Sequence, residues 1–309
     1  MGRIAFLGTP AVAVPVLRAL ISKCAVDAVF CNPDKPQGRG RHLEAPPVKK
    51  FAVELGLAVH QPASWKVPEA KILWESLKVD LAIVVAYGHI LPGWMLDSCP
   101  LGVWNLHFSI LPRWRGAAPV HHALLAGDDQ TGVTLMGITR GLDSGPVVAI
   151  SRRPIGLEDT TEGLLAVLAE DAASLLREHL SQLLKGSAKT LAQEDALVTL
   201  APKLSREMAR LDFTKSALEL HRQVRALHPW PGVDFTVENT VVKICGVGHL
   251  KVSDRAPGTL YWDRGGVWLA AGDSHTLELT LLQRPGKPIQ PALQALQPWG
   301  TSGIRVMKR

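Results

Sequence analysis

The chain has 309 residues, 47% of them hydrophobic, enough to fill one large core or two ordinary ones. Cys24, Cys31, Cys99 and Cys245 are scattered, with no C-x-x-C pair and no local histidine cluster, which argues against a disulfide framework or a zinc site. The net charge of +6 is uneven: from Ser205 onward 14 Lys/Arg face 9 Asp/Glu, whereas the first 204 residues carry 20 against 19. A basic second part suits a polyanion partner or is an ordinary solvated surface.

Arg3–Leu7 is an apolar run too short for a signal peptide and reads as a buried first strand. No run approaches the length of a membrane helix, so a cytoplasmic protein with no membrane partner is expected. Gly8-Thr9-Pro10 follows as a tight turn without G-x-G-x-x-G or a Walker lysine, which leaves NAD or ATP little support there. Val12, Val16, Leu17 and Leu20 then mark a helix face, and Ala25–Phe30 reads as the second strand.

A loop rich in Pro, Gly and basic residues comes next, Asn32 to His42. Gly38 and Gly40 free the backbone around Arg39, while Lys35, Arg41 and His42 keep the loop positive. Such a loop at a strand's carboxyl end can close over a phosphate or a nucleic-acid end, or be a plain solvated connection.

Ala45–Leu55 reads as a helix, Leu57–His60 as a short strand, and Leu81–Ala86 as a central parallel strand. Gly102–His107, Gly132–Ile138 and Pro146–Ser151 are further strands. A long helix closes this part, with Asp159 and Glu162 at capping-box spacing and a leucine stripe from Leu164 to Leu184. The alternation predicts a Rossmann-like α/β domain with a doubly wound, mainly parallel sheet over residues 1–188. Residues 189–205, with Ala201-Pro202-Lys203-Leu204, read as a linker. Beyond it a helix over Ser216–Leu227 and strands at Val241–Cys245, Gly258–Trp262, Val267–Ala270 and Leu277–Leu282 predict a smaller OB-like β-barrel domain, 206–309.

The chemistry concentrates in Asn105-Leu106-His107-Phe108-Ser109-Ile110-Leu111-Pro112-Arg113-Trp114-Arg115-Gly116 and in Gly141-Leu142-Asp143-Ser144-Gly145. Asn105 and His107 are two apart at the end of an apolar run and share a face on a strand. Asp143 lies between glycines, where a tight turn can carry its carboxylate toward that face. Amide, imidazole and carboxylate can hold a carbonyl oxygen and move a proton. Ser109–Pro112 breaks strand geometry and exposes backbone groups to a heterocycle's edge. Arg113 and Arg115 read as surface charges flanking a packed Trp114.

These segments resemble the formyltetrahydrofolate-dependent transferases, most closely the methionyl-tRNA formyltransferases, from the first strand nearly to the end of the chain. The resemblance implies Asn105, His107 and Asp143 as the catalytic residues, and Ser109, Ile110, Leu111 and Pro112 as the folate-binding segment. It makes Gly38-Arg39-Gly40, with Lys35 and Arg41, the loop that engages the tRNA acceptor end. Arg225-Ala226-Leu227-His228-Pro229-Trp230-Pro231-Gly232 matches the start of the family's second domain. The implied activity moves the formyl group of 10-formyltetrahydrofolate to methionine on initiator Met-tRNA, without a metal, in a monomer. A hydrolase, or a transferase acting on a sugar nucleotide, would use the same triad on another acceptor. A catalytically silent RNA-binding protein is the non-enzyme reading. Departures from the pattern are Ile110 for Leu, His121-His122 where Gln-Arg is common, and a basic Arg140 close to Asp143.

Overall fold

Apolar runs of the first two-thirds become adjacent parallel strands: β1 (Ile4–Gly8), β2 (Ala28–Phe30), β3 (Val59–His60), β4 (Leu81–Val85) and β5 (Val103–His107). In the computed structural model, which describes residues 2–37, 42–263, 265–300 and 304–305, they lie in the order β5-β4-β1-β2-β3. Every residue of β1 and β4 is buried, as expected of central strands covered on both faces. Beyond β5 the sheet continues with β6 (Gln130–Gly137) and β7 (Val147–Pro154), both pairing antiparallel. The sheet is therefore mainly parallel with an antiparallel edge.

The chain divides into two units. The first holds Met1–Pro119, Gln130–Pro154 and Leu165–Ala201, and the second holds Val120–Asp129, Ile155–Leu164 and Pro202–Arg309. The segment 189–205 is thus shared between the two, its residues up to Ala201 belonging to the first unit. Helices α1 (Val14–Ile21), α2 (Pro47–Glu54), α3 (Pro68–Leu77) and α4 (Gly93–Asp97) connect the parallel strands. Three of them carry a proline at their first or second position, where its missing N–H is no loss in a first turn. A core of Phe30, Trp65, Trp74, Val84, Tyr87 and Met95 packs against this sheet. The basic segment after β2 contains two short strands, Lys35–Gln37 pairing antiparallel with His42–Glu44.

In the second unit, α5 (Pro119–Ala126) contributes its residues from Val120 onward. The long helix α6 (Thr161–Leu184) begins here, and its cap differs from the expected one. Thr160 Oγ1 accepts from the Gly163 N–H at 3.2 Å, while Asp159 Oδ2 turns back to the Gly156 N–H at 2.7 Å. Helix α7 (Ala217–Leu227) carries a reciprocal capping box between Ser216 and Glu219. Strands β8 (Val233–Val237), β9 (Thr240–Val252), β10 (Thr259–Asp263), β11 (Gly266–Ala270), β12 (His275–Gln283) and β13 (Ile304–Arg305) form an antiparallel sheet in the order β8-β9-β12-β11-β10-β13. Three register shifts along β9 opposite β12 bend it into a half-barrel. The first strand, Val233–Val237, is not among the strands read from the sequence. Among the described residues no helix is long and apolar enough to cross a membrane.

Candidate active site

Asn105 and His107 end β5, which lies between β4 and β6 in the sheet. The register sets Asn105 beside Val84 and Met136, and His107 beside Thr134. Their spacing puts both side chains on one face at the carboxyl end of a central strand, where open α/β sheets bind ligands. The Asn105 carboxamide has no hydrogen-bond partner among the described residues and is free to donate to a substrate oxygen.

After His107 the chain breaks away from the sheet, and buried side chains hold it in place. Thr134, fully buried on β6, donates to the Ser109 carbonyl at 2.6 Å and accepts from the Leu111 N–H at 3.1 Å. Ser109 donates through its hydroxyl to the Arg113 carbonyl at 2.7 Å. Ser109 and Leu111 are themselves buried, while Ile110 and Pro112 are half-buried. The segment is built as a fixed wall of the site, not a loose loop.

His107 is 6% exposed, and both ring nitrogens face oxygen atoms. Nε2 lies 2.9 Å from the Trp114 carbonyl, which can only accept, so Nε2 carries a proton. Nδ1 lies 3.6 Å from Asp143 Oδ2, too far for a hydrogen bond and within ion-pair distance of it when the ring is protonated. Nδ1 is therefore the nitrogen left to work on a substrate.

Asp143 stands at φ +44°, a left-handed conformation that side chains other than glycine rarely adopt. Three contacts keep it there. Its Oδ2 accepts from the Gly116 N–H at 2.8 Å. The Gln193 amide donates to both the Asp143 and Gly145 carbonyls, each at 2.8 Å. Gly145 is required in this turn, because a Cβ there would strike the Gly137 carbonyl.

Gln193 and Thr199 were invisible to the sequence reading, which placed them in a linker. The segment runs along the site instead. Leu191 bridges Val147, the Thr199 hydroxyl accepts from the Trp114 N–H at 2.9 Å, and Leu200–Ala201 pairs with Arg115–Gly116. Arg115 is a correction as well: it is 9% exposed, and its Nε donates to Gln193 Oε1 at 3.0 Å. Only Arg113 remains on the surface, 4.3 Å over the Trp114 ring. The only local signals for these contacts were the polar Gln193 and Thr199 themselves, too weak without the fold.

Arg140 pairs with Asp97 at 3.1 Å, not with Asp143. Both partners are largely exposed, so the pair adds little stability. Lys35 lies on the exposed hairpin strand, and with burial it pushes His89 below the ordinary imidazole range, burial being the larger cause. Gly38, Arg39, Gly40 and Arg41 lie outside the described residues. Among the described residues no three His, Cys, Asp or Glu side chains gather in a metal-binding group.

This arrangement can grip a carbonyl oxygen, stabilise charge on it and pass a proton. Residues 2–180 match the formyl transferase family, and residues 203–298 match the formyl transferase C-terminal domain. A methionyl-tRNA formyltransferase of Ectopseudomonas mendocina is 44% identical over 93% of this chain and 92% of its own length. That of Methylococcus capsulatus is 43% identical over 98% of this chain and 99% of its own. An N-formyltransferase from Helicobacter canadensis, solved with folinic acid and dTDP-3-aminofucose, superposes with a TM-score of 0.70 at 17% identity. It covers 92% of this chain and all of its own, and at that identity the likeness is one of fold.

Proposed function

The chain belongs to the formyl transferase family, and from that premise we propose that it transfers the formyl group of 10-formyltetrahydrofolate to the methionine amino group of initiator Met-tRNA. The single observation that carries the chemistry is the 3.6 Å approach of Asp143 to His107 at the end of β5, the strand on which Asn105 shares a face with His107. The relatives at 43–44% identity over nearly the whole chain support the acceptor.

An α-amino group has an ordinary pKa of about 8, so a useful neutral fraction exists near pH 7 without a strong base. The enzyme's work is alignment, oxyanion stabilisation and proton management. Asn105 donates its free amide to the formyl oxygen. His107, with Nε2–H committed to the Trp114 carbonyl, meets the developing oxyanion through Nδ1 in its doubly protonated form, in which both ring nitrogens donate. Asp143 balances the charge on His107 and, through water, takes the proton that the attacking amine releases. The departing folate nitrogen takes up a proton as the carbon–nitrogen bond breaks, which completes the transfer.

Ser109, Ile110, Leu111 and Pro112 form the wall against which the donor's heterocycle lies, supported by the rigid hold of Thr134 on this segment. Lys35, Gly38, Arg39, Gly40 and Arg41 engage the acceptor end, and residues 206–309 are the tRNA-binding domain, in keeping with their basic excess. The four unpaired cysteines suit a reducing cytoplasm. Replacing Arg39 with Ala tests the acceptor assignment: KM for Met-tRNA rises while KM for the formyl donor stays near wild type. Equal loss for both substrates would put that loop over the donor instead.

A further inference from the structure

Two consecutive lysines of α2 fasten the basic hairpin at both of its ends. On the incoming side, Lys49 Nζ donates to Asp34 Oδ1 and Oδ2 at 2.9 and 2.8 Å and to Gln61 Oε1 at 2.8 Å. On the outgoing side, Lys50 Nζ pairs with Glu44 Oε1 at 2.8 Å. Asp34 immediately precedes the first hairpin strand, and Glu44 ends the second.

Lys49 looks at first like one more cation for a phosphate, but its geometry says otherwise. An ammonium has three protons, and Asp34 and Gln61 take all of them. The Lys49 and Asp34 side chains are 27% and 29% exposed, shielded more than the Lys50–Glu44 pair at 51% and 46%. Gln61 is pinned in turn, its amide donating to the Asn32 carbonyl and to Asp34 Oδ1, each at 2.8 Å. Asp34 is held below the usual carboxylate range, first by its hydrogen bond from Lys49 and then by that from Gln61. The network continues into the sheet. Thr9 Oγ1 accepts from the Asn32 N–H at 3.1 Å and donates to the Tyr87 carbonyl at 3.3 Å, so the ends of β1, β2 and β4 share one frame.

We propose that Lys49 is a positioning residue for the acceptor: with Asp34 and Gln61 it fixes the paired strands Lys35–Gln37 and His42–Glu44, and so the cationic Lys35, to the carboxyl edge of the sheet that bears Asn105 and His107. The proposal rests on the acceptor assignment for that hairpin. It gives Lys49 no contact of its own with RNA, and it makes Lys49 and Asp34 one unit.

The test compares the full-length enzyme with Lys49→Met, Asp34→Asn, the double variant and Lys49→Arg. Each single change raises KM for initiator Met-tRNA about tenfold, while KM for 10-formyltetrahydrofolate stays within about twofold, the scale expected for a coupled network. The double variant is no worse than the poorer single, and Lys49→Arg, which can fork to Asp34, stays near wild type. Limited trypsin digestion supplies a readout independent of the acceptor: cleavage within the hairpin speeds up several-fold in Lys49→Met and Asp34→Asn. Multiplying losses in the double variant would overturn the proposal, since Lys49 would then act on the RNA directly. Unchanged KM and unchanged trypsin cleavage in Lys49→Met would also overturn it. Faster trypsin cleavage in the variants of an enzyme that formylates no Met-tRNA would uphold the anchor and remove the acceptor assignment.

Discussion

Replacing Gln193 with Ala removes the brace that holds Asp143 in place, at a distance of 50 residues along the chain. The Gln193 amide donates two hydrogen bonds of 2.8 Å to the Asp143 and Gly145 carbonyls, and its oxygen accepts one of 3.0 Å from Arg115. Each such bond is worth about 1 kcal/mol net, so the loss is roughly 2–3 kcal/mol of stability. The catalytic effect follows from the turn. A left-handed conformation at a residue with a Cβ costs about 1–2 kcal/mol, which the Gln193 bonds offset. Without them the turn relaxes, and the productive position of Asp143 falls to about a tenth of its population or less. In Gln193→Ala kcat drops about tenfold to thirtyfold with both KM values nearly unchanged. Gln193→Glu sharpens the point, because it keeps an acceptor for Arg115 but sets a carboxylate against two carbonyl oxygens. Steady-state transfer kinetics and a urea melt read both effects. Wild-type kcat in either variant would refute the reasoning that the brace sets the Asp143 position.

Truncating Asn105 or His107, the proposed oxyanion donors, to Ala lowers kcat by about a hundredfold to a thousandfold, or about 3–4 kcal/mol, read by single-turnover transfer. Gly116→Ala would drive a Cβ into the Ala201 carbonyl and displace the N–H that holds Asp143, so both the urea midpoint and kcat fall. His221, buried on α7 beside the Arg225 guanidinium, is pushed down from 6.5 to about 4, first by burial and then by Arg225 and Arg222. Its folded value lies below its unfolded one, so its contribution is whole above pH 6.5 and is lost as the pH falls toward 4. That loss is on the order of 3 kcal/mol, and His221→Gln flattens this part of the stability profile in urea melts between pH 7 and 4.

The parallel sheet was legible because Leu81 to Val85 and the runs around it are apolar on both faces, a pattern that few other structures satisfy. Helix α7 was legible from the amphipathic spacing over Ser216–Leu227, while its Ser216–Glu219 capping box emerged only in the structure. Asn105 and His107 could be placed on one face because strand alternation is local. What stayed hidden was long-range. The Arg115 guanidinium finds Gln193 across 78 residues, and the Trp114 N–H finds Thr199 across 85, distances at which no local pattern speaks. The direction of β6 and β7 depends on which neighbour each strand meets, and hydrophobic runs do not encode it. The hairpin around residues 35–44 was hidden for another reason, since Pro, Gly and Lys read as a loop whether or not three residues on each side pair.

The most direct test offers the enzyme 10-formyltetrahydrofolate with a radiolabelled formyl group, together with methionylated initiator tRNA, elongator Met-tRNA, a sugar-nucleotide amine, or water alone. The account predicts label on the methionine amino group of initiator Met-tRNA, with little on the elongator and none on the sugar nucleotide. Donor turnover with no label on Met-tRNA would contradict the acceptor, and the absence of turnover with every acceptor would contradict the chemistry assigned to Asn105, His107 and Asp143.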